Sequence, residues 1–312
     1  MLEAPQSPRK LFFNFGDAQS IRTMRFFLEW LSRRSLRLLH ALGGALGWAA
    51  YVFSPVYRQR LCANARLAGI GIAQRRAAVA QAGRLYLELP RLWLRPPSQA
   101  IHDPVIWEGA ELVQSLLAEG RGLLLLTPHL GSFEVAAQAY AERFGALQPI
   151  TVLYRPARQA WLRELEETAR ARPALATAPA TLAGVRLMLR ALRRGETVGL
   201  LPDQVPPEGM GVWAPFFGQP AYTMTLALRL IQQTGAAVAV LCCERLPAGA
   251  GYRVRALPMT EALPQLSGTD EAAQQAAAAS MNRSMEAVIR LLPTQYLWGY
   301  HRYKTPRRVS TG

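Results

Sequence analysis

The segment Thr127-Pro128-His129-Leu130-Gly131-Ser132-Phe133-Glu134 holds the residue types best suited to proton transfer in this 312-residue chain. It follows an apolar run at 122–127 and precedes a helical pattern at 132–144, so His129 falls at a strand-to-helix corner. Gly131-Ser132 can form the turn, with Ser132 as a helix N-cap. An imidazole and a carboxylate five residues apart do not share a face of a regular helix. With a turn between them, Glu134 can reach back to His129. A neutral histidine held by a carboxylate is a competent general base near neutral pH. Free N–H groups at the helix start would add stabilisation for an oxyanion. The spacing alone is also that of a turn histidine beside a glutamate serving the helix dipole. Ser132 lacks the flanks of a nucleophile elbow, which argues against a serine hydrolase.

The elements that must position this corner alternate. Strand-like runs at 122–127, 150–154, 197–201 and 236–242 are separated by helical patterns at 132–144, 160–172, 181–194 and 223–234. A run at 252–257 pairs beside the last strand, and an Ala-rich helix at 270–292 closes the chain. The alternation predicts an α/β fold with a mostly parallel central sheet flanked by helices. In such sheets chemistry gathers at the carboxyl ends of strands. Arg155 follows the 150–154 strand, and Asp203 and Gln204 follow the 197–201 strand, so all three point to the same edge as His129.

The amino-terminal part is different. Residues 21–39 read as a basic amphipathic helix carrying Arg22, Arg25, Arg33, Arg34 and Arg37. Residues 38–53 are apolar except for His40, a little short of the ~20 residues a spanning helix needs. Gly43 and Gly47 form a helix-contact pattern, and Trp48, Tyr51 and Tyr57 suit a membrane interface. The expected organisation is a membrane-anchoring helical segment at 1–57, a helical lead-in at 58–104, an α/β domain at 105–304 and a basic tail at 305–312. Whether the first segment spans or lies on the bilayer is left open by its length.

Composition narrows the classes. Half of the residues are hydrophobic and 18% are charged, which excludes a disordered chain. Lys and Arg outnumber Asp and Glu 36 to 21, a net charge of +15 that calls for an anionic partner. No helix-turn-helix, RNP or zinc signature is present, so nucleic acid is not the expected one. Three cysteines without metal spacing read as buried thiols rather than a disulfide framework.

His129-x4-Glu134 after an apolar strand resembles the H-x4-D/E motif of lysophospholipid and glycerolipid acyltransferases. Tyr154-Arg155-Pro156, Leu201-Pro202-Asp203-Gln204, and Pro215-Phe216-Phe217-Gly218 with Thr223 follow in order. So do Gln295-Tyr296-Leu297-Trp298 and His301-Arg302-Tyr303-Lys304. Together they resemble the lipid A late acyltransferases, the lauroyl/myristoyl branch, over residues 36–304. Val205 departs from that pattern, standing where the family often has a second acidic residue.

The resemblance implies transfer of a fatty acyl chain from acyl carrier protein to a hydroxyl of a lipid A precursor, at the cytoplasmic face of the cell inner membrane. On that reading His129 is the base and Glu134 orients it, with no acyl-enzyme, no metal and no cofactor beyond the acyl carrier. Arg155 would meet a lipid phosphate or assist the oxyanion, and Asp203 and Gln204 would position the acceptor. Ser132, Phe217 and Thr223 are further candidates for substrate contact. The alternatives are another lysolipid or glycolipid acceptor, of the ornithine-lipid or mannosylated-inositol type, and, remotely, a serine-type lipid hydrolase.

Overall fold

Strands form where branched apolar residues run together. In a computed structural model, which describes residues 18–154, 157, 159–264 and 270–308, these are β1 (Val105–Glu108), β2 (Leu123–Leu126), β3 (Ile150–Tyr154), β4 (Leu175–Pro179), β5 (Thr197–Leu200), β6 (Gly211–Phe216), β7 (Gln219–Met224), β8 (Ala237–Arg245) and β9 (Tyr252–Leu257). The helices are α1 (Ala18–Ser32), α2 (Leu36–Phe53), α3 (Pro55–Leu67), α4 (Ile72–Trp93), α5 (Ala110–Ala118), α6 (Phe133–Phe144), α7 (Ala160–Arg170), α8 (Leu182–Arg193), α9 (Leu226–Thr234) and α10 (Glu271–Leu291).

Seven strands form one sheet in the order β1-β9-β8-β2-β5-β3-β4. Every pair in it is parallel except β8–β9. β2 lies at the centre, and its four leucines are buried on both faces. Alternate side chains point to opposite faces. Leu124 and Leu126 share a core with Met188 of α8, Leu230 of α9 and Met285 of α10. Leu123 and Leu125 share the other core with Val113 of α5 and with Val135 and Tyr140 of α6. A parallel strand covered on both sides needs this near-continuous hydrophobic sequence.

Several boundaries differ from the sequence expectation. The 21–39 pattern is two helices, because Ser35 caps α2 and accepts from the Leu38 N–H. The 223–234 helix begins only at Leu226, because Gln219–Met224 pairs with β6 in an antiparallel hairpin. Its turn is Phe217-Gly218, with φ of 46° and 75°, the left-handed pair that matches hairpin twist. Cys242 and Cys243 are buried on β8, and burial pushes the Cys242 thiol up to about 12.

α2 is long and apolar enough to cross a membrane by length and composition. One face of it is nonetheless committed to α4 through small residues. A Cβ on Gly83 would lie 2.0 Å from the Gly43 carbonyl oxygen, and one on Gly47 would lie 2.2 Å from that of Val79. Leu38, Leu42, Leu46, Trp48, Val52 and Phe53 are exposed on the rest of the helix.

Candidate active site

β2 pairs with β5 in a parallel register whose last rung is Leu126↔Leu200. His129 and Asp203 each stand three residues beyond that rung, so the register brings them side by side at the carboxyl edge of the sheet. The His129 N–H donates to Asp203 Oδ2 at 2.9 Å, and His129 Nδ1 lies 2.6 Å from Asp203 Oδ1. Asp203 thus grips both the backbone and the ring of His129. The pairing assigns the ring proton to Nδ1 and leaves Nε2 as the acceptor nitrogen. Nε2 accepts from the Gln204 side-chain amide at 3.0 Å. Phe133 packs edge-on against the ring, with centroids 5.0 Å apart.

The electrostatics favour an ionised Asp203. Burial opposes its charge, yet His129 and, more weakly, Arg302 hold its carboxyl below the usual range. The Tyr296 phenol beside it is pushed well above its ordinary value, by burial first and then by the Asp203 charge. An ionised acid on Nδ1 stabilises the imidazolium that forms when Nε2 takes a proton.

Glu134 was expected to orient His129, and the structure corrects that assignment. Both ring nitrogens have other partners, and Glu134 instead accepts from Arg170 of α7 at 2.6 Å. The chain bends at Gly131 (φ 59°), and α6 then carries Glu134 toward α7 rather than back over the turn. Arg170 also lies 5.7 Å from the rings of both Trp93 and Tyr154, so the pair ties α6 to α7, α4 and the end of β3.

Three expected substrate contacts are placed inside the framework. Ser132 is buried and donates to Glu88 Oε1 at 2.6 Å. Thr223 is fully buried; its hydroxyl donates to the Ala221 carbonyl and accepts from Asn282 and Arg302. Phe217 is buried in the hairpin turn, its N–H bound to Glu286 and its ring packed on Phe216 and Trp298. The hydroxyls of Ser132 and Thr223 and the N–H of Phe217 are thus engaged by the protein itself. Arg155 lies outside the described residues.

The C-terminal motif closes the same edge. Leu297 N–H donates to the His129 carbonyl at 3.2 Å, and Leu130 bridges to Tyr296. Val205 N–H donates to the Tyr300 hydroxyl at 2.9 Å. Arg302 donates to the Tyr222 carbonyl and to Thr223, and its guanidinium lies 4.9 Å from the Phe216 ring. Within these C-terminal motifs, Trp298 and Arg302 are buried in packing roles.

The family model described as bacterial lipid A biosynthesis acyltransferase matches residues 34–305. The chain is 31% identical over 198 residues to the lipid A biosynthesis lauroyltransferase of Escherichia coli K12, covering 63% of this chain and 61% of that protein. It is 28% identical over 224 residues to the lipid A biosynthesis palmitoleoyltransferase of the same strain, covering 72% and 69%. It has the same identity and coverage against a lipid A biosynthesis acyltransferase of Shigella flexneri. The chain therefore spans about three-fifths of the lauroyltransferase and just over two-thirds of the other two.

Proposed function

The chain belongs to the bacterial lipid A biosynthesis acyltransferase family, and from that premise we propose that it moves a fatty acyl chain from an acyl carrier protein thioester to a hydroxyl of a lipid A precursor. The observation that carries this reading is the His129–Asp203 pair at the carboxyl edge of the sheet, with Nε2 turned away from the acid.

In the proposed reaction the acceptor hydroxyl takes the place of the Gln204 amide at Nε2. His129 removes its proton as the oxygen attacks the thioester carbonyl. Asp203 holds the tautomer and balances the new imidazolium. The tetrahedral intermediate collapses, the carrier thiolate leaves, and the imidazolium returns the proton to sulfur. The enzyme forms no covalent intermediate, in contrast to a serine hydrolase. The Gly131 and Ser132 N–H groups are already spent on the Gln295 and Cys243 carbonyls. The oxyanion is therefore assigned to the following amides at the start of α6. Arg155, one residue beyond β3, is assigned to the anionic group of the acceptor on its fixed charge.

The proposed site of action is the cytoplasmic face of the inner membrane, and association with a membrane is supported by α1 and α2. Phe26, Phe27 and Trp30 of α1 and the outer face of α2 leave large apolar side chains exposed. Arg22, Arg25, Arg33 and Arg37 accompany them, the pattern of a helix lying in an anionic interface. α2 packs closely on α4, and α4 carries Arg75, Arg76, Arg84, Glu88 and Arg91, charges costly in a bilayer interior, so this pair is placed on the bilayer rather than through it.

Mass spectrometry of lipid A from a strain lacking this chain, with and without its return, tests the acceptor. Loss of one acyl group on deletion and its restoration are expected. Unchanged lipid A with a change in another lipid would move the assignment to a different lysolipid or glycolipid.

A further inference from the structure

Behind the catalytic corner lies a buried ionic cluster that takes no part in the chemistry above. Glu88 of α4 and Arg245 of β8 are 2% and 3% exposed. Arg245 Nε donates to Glu88 Oε2 at 2.9 Å and its NH2 group to Glu88 Oε1 at 3.2 Å. Glu88 Oε1 also accepts from the Ser132 hydroxyl, and Oε2 lies 3.0 Å from His40 Nε2 of α2. Burial opposes the Glu88 charge, but Arg245, His40 and Ser132 together hold its carboxyl below the usual range.

Two arms of this cluster reach the turn that follows His129, while the others run to His40 of α2 and Gln81 of α4. Arg245 NH2 donates to the Gly131 carbonyl at 3.0 Å. The Gly131 N–H donates to the Gln295 carbonyl, while the Gln295 side chain clasps the backbone N–H and carbonyl of Arg245. Ser132, next in sequence, is tied directly to Glu88. Both peptide groups of Gly131 and the Ser132 side chain are thus fixed from the rear. Gly131 itself admits no side chain, since a Cβ there would lie 2.0 Å from the Cys243 carbonyl oxygen.

Stability alone does not call for such a cluster. A buried ion pair must overcome the desolvation of both charges, and well-packed apolar residues of similar volume often serve stability as well or better. What apolar packing cannot do is aim directional bonds at one turn. Catalysis that depends on a near-attack geometry loses on the order of 10²-fold for a displacement of about 1 Å.

We propose that Glu88, acting through Ser132 and Arg245, is the positioning residue that holds the His129 corner at its working geometry. Through His40 the same carboxylate joins α2, the helix with the exposed apolar face, to that corner. The inference rests on His129 being the base.

The experiment uses the purified full-length chain with an acyl carrier thioester and a lipid A precursor. Ser132→Ala leaves the Glu88–Arg245 pair and the Arg245–Gly131 bond intact and cuts only the bond between Ser132 and Glu88. Its expected effect is a fall in kcat of about 10-fold with KM for both substrates unchanged within about twofold. The low-field proton resonance of His129 Nδ1–H should shift or broaden, while Tm stays near that of the parent. Glu88→Gln should lower kcat further, and the double variant should be no worse than Glu88→Gln alone. Should Glu88→Gln not fold, Arg245→Lys takes its place; it keeps the cation but loses the fork that reaches Gly131. A Ser132→Ala enzyme with parental kcat, or losses that multiply in the double variant, overturns the positioning role. His129→Ala run alongside separates the two readings: if it stays active the base assignment fails, and if it is inactive while Ser132→Ala is normal only the positioning role fails.

Discussion

For His129, the division between its two ring nitrogens carries the proposed chemistry. Nδ1 is held by Asp203, and Nε2, paired with Gln204, is the nitrogen proposed as the base. Asp203→Asn keeps the shape but removes the charge that stabilises the imidazolium, so kcat should fall by at least ~10²-fold. Glu134 acts differently, through Arg170. Glu134→Ala and Arg170→Ala should lower turnover by similar factors, with the double variant no worse than either; kinetics of the three variants check this, and independent losses would dissociate the pair. The place of His129 at a strand-to-helix corner was legible from the apolar run before it, whereas its candidacy as the base came from the ordered motifs of the resemblance. Asp203 was legible as a residue at a strand end but not as the partner of His129. That role depends on β5 lying next to β2, and residues 74 positions apart leave no local signal of adjacency. Glu134 misled because nearness in sequence was taken as nearness in space.

At the level of elements, the central strands and their helices were legible because buried parallel strands are nearly all apolar and their helices amphipathic. β1, β4 and the β6–β7 hairpin were not anticipated. β1 and β4 are short edge strands, and the hairpin carries Pro215 and Pro220, residues that ordinarily argue against a strand. Two carboxylates join these elements while buried and ionised, Asp203 between β5 and the β2 corner and Glu88 between α4 and β8. Their folded pKa values lie below those of the unfolded chain. The stabilisation they give is therefore fully present above the ordinary carboxylate value of ~4 and is lost as pH falls through the folded values. Thermal denaturation across pH should show Tm level from neutrality to about pH 5 and falling below about 4. Glu88→Gln should cost about 3–5 kcal/mol at neutral pH by leaving Arg245 without its counter-ion, and it should flatten part of the acid fall. An acid limb identical in the parent and Glu88→Gln would contradict this account of Glu88.

For the whole molecule, a +15 chain carries an exposed apolar surface along α1 and α2. Charge brings such a surface to an anionic bilayer and apolar side chains hold it there, so binding should weaken with salt without vanishing. Co-sedimentation with anionic vesicles should show this, and Phe27→Asp with Phe53→Asp should reduce binding several-fold while Tm is unchanged. Equal retention of that variant would place the membrane contact elsewhere. The basic and apolar character of the N-terminal helices was readable from composition. The close packing of α2 on α4 was not, because the glycines it depends on, Gly43 and Gly47 against Gly83, lie on separate helices.

The most direct measurement is turnover of His129→Ala, purified beside the parent, with acyl carrier thioester and lipid A precursor, after matching Tm values show that the fold survives. Removal of a positioned general base should lower kcat by about 10²–10⁴-fold. Transfer at the parental rate by a folded His129→Ala protein would contradict the assignment of His129 as the base, and with it the mechanism built on the pair.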